Sequence, residues 1–148
     1  MQSTPHLVNN DDGPELVVDG KPFLILGGEL GNSSASDMAY MKSVWPKLKK
    51  MHLNTLVAPV YWEALEPQEG KFNFKLVDEL IKNARINKFK LVVLWFGTWK
   101  NSMSCYVPGW MKTDAARFPR ARTLAGEAQE IMAPFSKNTL AEDKKAFV

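Results

Sequence analysis

The sequence predicts an α/β fold, a partial TIM (β/α)8 barrel in which the first three βα units follow a β-hairpin strand. Three observations carry this expectation. Strand-length apolar runs alternate with helical stretches, the order that gives parallel βαβ units. The runs at 23–26, 53–60 and 90–95 are apolar without alternation, as in strands covered on both faces. Three strands and two complete helices also fall short of a doubly wound sheet, with five or six strands, and of a barrel, with eight. The chain therefore reads as the opening of a longer architecture, with residues 1–14 as an N-terminal tail and 15–148 as the incomplete barrel.

The elements follow in order. Residues 15–18 and 21–26 flank Asp19-Gly20, a dipeptide suited to the positive φ angles of a tight hairpin turn. The second of these runs ends in Gly27-Gly28-Glu29, read as a flexible exit carrying one carboxylate. Residues 36–52 read as helical, with Asp37 as cap and Met38, Met41, Trp45 and Leu48 at helical spacing. Pro46 inside that stretch predicts a kink or two short helices. An apolar strand over 53–60 leads into Tyr61-Trp62-Glu63. After the loop 66–74, Asn73 caps a helix whose stripe is Leu76, Val77, Leu80, Ile81 and Ala84. The strand 90–95 runs into Gly97-Thr98-Trp99-Lys100-Asn101. Residues 113–138 show no stable periodicity and read as a long loop. Thr139 and Glu142 then form a capping box for a final helix.

Composition bounds the function. The chain has 148 residues, 45% hydrophobic and 24% charged, within the range of ordinary globular domains. Its greasiest stretch, 91–96, is far too short to span a membrane. The first residues lack the basic start and apolar core of a secretion signal, so the sequence leaves the compartment open. Net charge is +3, and Lys42, Lys47, Lys49 and Lys50 crowd together. No nucleic-acid motif accompanies them, and a solvated helix face is the expected reading. One cysteine, Cys105, excludes an internal disulfide, and with only His6 and His52 beside it no Cys/His zinc site can form. Neither metal nor cofactor is expected; Gly27-Gly28-x-x-Gly31 lacks the spacing of a dinucleotide loop.

Barrel enzymes carry their reactive groups at the C-terminal ends of strands. Here those positions hold Glu29, then Tyr61, Trp62 and Glu63, then Trp99 and Asn101. Indole rings stack on the C–H face of a pyranose, while carboxylates and amides meet its hydroxyls, so the set suits a sugar. The plainer alternative makes the tryptophans core filling and the polar groups strand caps. Glycoside hydrolysis needs two carboxylates. Glu29, Glu63 and Glu66 lie near strand ends, but spacing pairs none of them, and Glu66 before Pro67 suits turn capping.

The run Val18-Asp19-Gly20-Lys21-Pro22-Phe23 through Gly28-Glu29 resembles the opening of glycoside hydrolase family 35 β-galactosidases. The segment Tyr61-Trp62-x-x-Leu65-Glu66-Pro67-x-x-Gly70-x-Phe72-x-Phe74 is similar to a signature shared by families 35 and 42. Pro108-Gly109-Trp110-Met111 resembles the Pro-Ala-Trp-Leu element after the third strand. The sequence departs from family 35 in two places. Leu30-Gly31 stands where His-Tyr usually follows Gly-Glu, and Trp99-Lys100-Asn101 stands in the region of a Cys-Ala-Glu sugar-contact motif. The resemblance implies a divergent β-galactosidase-like glycosidase with a retaining two-glutamate mechanism, acting on a galactoside or related oligosaccharide. It also implies that the acid/base and nucleophile glutamates follow the fourth and seventh strands. No catalytic residue is then expected in this chain, while Glu29, Trp62, Trp99 and Asn101 line one wall of the sugar subsite.

Two other classes remain in view. A carbohydrate-binding module would bind galactose without turnover. A small complete α/β interaction domain would unfold cooperatively in isolation.

Overall fold

The computed structural model describes residues 4–101 and 104–148. It begins with an antiparallel sheet of β1 (His6–Asn10), β2 (Gly13–Val18) and β3 (Lys21–Pro22), in that order. Strand β1 lies in the segment read from sequence as a tail, paired with β2 from His6↔Val17 to Asn10↔Gly13. Its residues are exposed throughout, so it left no apolar signal to read. The β2–β3 turn is as the Asp-Gly dipeptide predicts: Asp19 and Gly20 have φ of 53° and 74°, the positive pair that a two-residue hairpin requires.

The apolar run 23–26 does not form the buried strand expected. Past Pro22 the Phe23 N–H still reaches β2, donating to the Leu16 carbonyl at 2.8 Å, and the chain then crosses to a second sheet. Leu24 is 77% exposed, and Ile25 and Leu26 are also exposed. Asn54 stitches the crossing: its Nδ2 donates to the Leu24 carbonyl at 2.8 Å and its Oδ1 accepts from the Leu26 N–H at 2.9 Å. Strand β4 is Gly27–Glu29, so the segment read as a flexible exit is itself the strand.

A 3-10 turn at Ser34–Ser36 precedes α1 (Met38–Lys50). Asp37 caps this helix, accepting from the Ala39 N–H at 2.7 Å. Met41, Trp45 and Leu48 are buried, and Lys47, Lys49 and Lys50 lie in the last turn, where positive charge meets the helix dipole favourably. Pro46 sits inside one continuous helix rather than between two short ones. The residues on both sides of it that pack into the core hold the helix through the lost hydrogen bond.

Strand β5 (Thr55–Tyr61) runs directly into the short helix α2 (Trp62–Leu65), and α3 spans Lys75–Ile86. The cap of α3 is Phe74 by backbone conformation, although the Asn73 side chain still accepts from the Lys75 N–H at 3.1 Å. Leu80 and Ala84 of its stripe are buried, with Leu76, Val77 and Ile81 half-buried. Strand β6 (Lys90–Phe96) completes a parallel sheet of order β4-β5-β6, in register from Thr55↔Lys90 to Tyr61↔Phe96. Helices α1 and α3 pack on it, and the main core joins Met41, Trp45 and Leu48 to Leu56, Ala58, Leu80, Ala84 and Phe89. Strand β5, central, is buried almost throughout. Strand β6 is an edge, and its apolar Val92 and Val93 are about half exposed, against the full burial its composition predicts.

The stretch 113–138 is not a featureless loop. After α4 (Gly109–Thr113) it folds into a hairpin of β7 (Arg120–Arg122) and β8 (Ala128–Met132). The strands are short, β7 is charged at two of its three positions, and the register shifts between Arg120 and Arg122, which obscures the alternation that marks a strand in sequence. Side chains carry part of the pairing: Arg120 donates to the Glu130 carbonyl and Arg122 to the Gly126 carbonyl. The final helix α5 (Lys137–Phe147) starts earlier than the capping-box reading, with Ser136 at the cap. Thr139 is instead fully buried inside the helix, and Glu142 pairs with Lys145 at 2.9 Å. Val107, Met111, Phe118 and Met132 form a second core around Trp62.

Candidate active site

The parallel register of β4, β5 and β6 brings three strand exits to one end of the sheet. Glu29 closes β4 there. Its carboxylate faces Lys100, four residues past β6, with Oε1 3.7 Å from Nζ. The Lys100 ammonium also stands over the Phe96 ring, 4.9 Å from its centroid, an arrangement favoured by the ring quadrupole. Backbone bonds from Lys100 N–H to the Ser104 carbonyl and from Ser104 N–H to the Asn101 carbonyl close the segment into a turn. Asn101 is exposed, and Trp99 is 55% exposed. Glu29 is thus adjacent to the segment that carries Trp99 and Asn101, with Lys100 as the link.

Trp62, expected on the same wall, is elsewhere. It is fully buried, with Trp95 and Trp110 packed against it at ring-centroid distances of 6.0 and 6.5 Å. Its Nε1 donates to Glu66 Oε2 at 2.7 Å. The cause is local. Strand β5 passes without a loop into α2, which turns the indole inward under the excursion that carries α4 and the hairpin. Tyr61 before it is also buried, its ring against Phe96 and Tyr106.

The three carboxylates near strand ends have separate surroundings. Glu29 faces Lys100. Glu63 pairs with Lys112 at 3.0 Å. Glu66 is buried and accepts from Trp62 Nε1 and from the Gly70 N–H at 2.7 Å each, while its carbonyl accepts from Trp110 Nε1 at 3.1 Å. The turn-capping role read for Glu66 is therefore present, joined to a second role as clamp for two indoles.

Two residues at the site were missed in the sequence. Lys100 stood between two flagged residues, and a cation directly after a strand exit was the available signal. Asp143 of α5 carried no such signal. Its carboxylate accepts from Trp95 Nε1 at 2.8 Å and from the Thr98 hydroxyl at 2.9 Å, bracing the start of the segment that ends in Lys100 and Asn101. Gly97 fits inside this brace, since an added Cβ would meet Trp95 Nε1 at 2.5 Å and Asp143 Oδ1 at 2.7 Å. Among the described residues no group of three or more His, Cys, Asp or Glu is placed to hold a metal ion, and no helix is long and apolar enough to cross a membrane.

Known proteins share this frame. A solved exo-β-1,4-mannosidase from Opitutaceae bacterium strain TAV5 superposes on 70% of the chain, and on 19% of its own, with a TM-score of 0.50 and 16% identity. That likeness concerns the fold alone. Beta-galactosidase 11 of Arabidopsis thaliana is 37% identical over 71 residues, covering 48% of this chain and 8% of that protein. A beta-galactosidase of Xanthomonas manihotis is 37% identical over 62 residues, 42% of this chain and 10% of its own length. The chain thus spans about a tenth or less of the relatives it matches. Residues 34–118, more than half of the chain, match the sequence model of glycoside hydrolase family 42, described as Beta-galactosidase. On that match the chain belongs to the β-galactosidase family of glycoside hydrolases.

Proposed function

We propose that this chain forms the first part of a TIM-barrel glycosidase that hydrolyses O-glycosidic bonds of a galactoside or related oligosaccharide. Its sheet supplies the first three staves of the barrel, and their exits supply one wall of the sugar subsite. Glu29, Trp99 and Asn101 belong to that wall; Trp62 supports it from the core. The reaction is retaining. One glutamate protonates the leaving oxygen while a second attacks the anomeric carbon, and the first then activates water to release the sugar. Both glutamates come from strands beyond these 148 residues, so the chain by itself has no turnover.

One observation supports this reading above the others. Polar and aromatic groups, Glu29, Trp99, Lys100 and Asn101, gather where the parallel strands end, which is where barrel enzymes place their reacting groups. The test compares 4-nitrophenyl β-D-galactoside cleavage by residues 1–148 with cleavage by a polypeptide extended along its reading frame to complete a barrel. Turnover only by the extended form, with the anomeric configuration of the first product retained in its NMR spectrum, is the expected result. Cleavage by residues 1–148 alone would contradict it, as would inversion, or galactose binding by the extended form without turnover.

A further inference from the structure

Lys100 differs from the other cations in how it is held. Lys90, Lys112 and Lys145 sit at 2.6 to 3.0 Å from their carboxylate partners, within direct hydrogen-bonding reach. Lys100 is 3.7 Å from Glu29 Oε1, beyond the usual length of a direct hydrogen bond. Its position is nonetheless fixed, by the Phe96 ring beneath the ammonium and by the backbone turn that closes on Ser104. The pair is also placed unlike the other three, across the common end of a parallel sheet, with Glu29 more than half exposed. An ammonium offers only donors and a carboxylate only acceptors. A hydroxyl has both. Hydrogen bonds of about 2.8 Å from two atoms separated by this distance meet at one point, so a single hydroxyl can donate to Glu29 and accept from Lys100 together.

We propose that Glu29 and Lys100 act as a hydroxyl-reading pair that orients a neutral pyranose at the strand exits, with Lys100 as a specificity-determining residue. The inference rests on the sugar-binding reading of the same site and adds to it the cation and the group it recognises. The adjacent carboxylate disfavours an anionic sugar, because a uronate brought to Lys100 would also lie against Glu29. A sugar lacking the recognised hydroxyl leaves both charged groups with a lost partner, and hydrogen bonds to charged groups are among the stronger ones.

The test is calorimetric titration of the polypeptide extended along its reading frame to complete the barrel, with methyl 1-thio-β-D-galactopyranoside, which resists hydrolysis, and its monodeoxy analogues. The proteins are the wild type, Lys100→Met and Lys100→Arg, with circular dichroism confirming that each is folded. For Lys100→Met the expected loss of affinity is about tenfold or more, with partial recovery in Lys100→Arg. One monodeoxy sugar should bind the wild type more weakly, yet bind Lys100→Met no more weakly than the parent glycoside does. A merely structural role for Lys100 would not produce that cancellation. Unchanged affinity in Lys100→Met, or a full deoxy penalty persisting in it, overturns the proposal while leaving the sugar-binding reading intact. Failure of the wild type to bind the galactoside overturns both.

Discussion

Burying a carboxylate costs several kcal/mol unless its oxygens are met by donors, and at Glu66 they are. Trp62 Nε1 and the Gly70 N–H each approach to 2.7 Å. Glu66→Ala would leave both donors without an acceptor in a closed site, and the expected loss is about 3 kcal/mol, measured by urea unfolding of the full chain. The Tyr61 hydroxyl is a different case. Burial pushes its pKa from 10.0 to about 12, and the Ala35 backbone, alongside it without completing a hydrogen bond, offsets only part of that rise. A phenol whose folded pKa is raised favours the folded state fully below the unfolded value and loses that contribution as pH climbs through the folded one. Stability should therefore fall between pH 10 and about 12, and Tyr61→Phe should flatten that alkaline limb in unfolding curves taken across the range. The strand-exit positions of Trp99 and Asn101 were legible from the end of the apolar run 90–95, whereas Glu29 closes a strand, Gly27–Glu29, that the apolar run 23–26 did not mark. Trp62 was misplaced by the same rule. The rule gives the position along a strand but not the direction a side chain takes when the strand turns at once into a helix.

Helix α5 is joined to the sheet through Asp143, which holds the Trp95 indole and the Thr98 hydroxyl at the end of β6. Asp143→Ala should release both donors. The expected cost is about 1–2 kcal/mol, with a loss of near-ultraviolet tryptophan dichroism that Asp143→Asn largely restores. The elements themselves were unevenly legible. The Asp19-Gly20 hairpin, the Asp37 cap and the order of helices and parallel strands follow from local chemistry: a positive-φ dipeptide, a carboxylate before a helical stripe, apolar runs of strand length. The β7–β8 hairpin could not be found that way, because its strands are short, β7 is mostly charged and the register slips. The run 23–26 misled for the opposite reason. It is apolar enough for a buried strand, but after Phe23, which still bonds to Leu16, the crossing between sheets takes it out of both ladders, and Asn54, distant in sequence, holds the crossing in place.

At the scale of the molecule, the parallel sheet has two open edges among the described residues, β4 and β6, and Leu24, Ile25, Leu26, Val92 and Val93 are exposed apolar surface. Open, apolar strand edges are features that folded proteins ordinarily cover or pair, and the barrel proposed above would cover them. The antiparallel hairpin is tied to the opposite end of the same sheet, where Lys90, the first residue of β6, meets Asp19 at 2.6 Å. One end is therefore occupied by structure, and the other carries Glu29 and Lys100. Hydrogen–deuterium exchange of the polypeptide extended to complete the barrel, with and without saturating galactose, distinguishes the two ends directly. Slowed exchange is expected in peptides covering 27–31 and 97–101, with no change around Asn54 and Lys90. Protection confined to the hairpin end, or absent from both strand-exit peptides while galactose is bound, would contradict it.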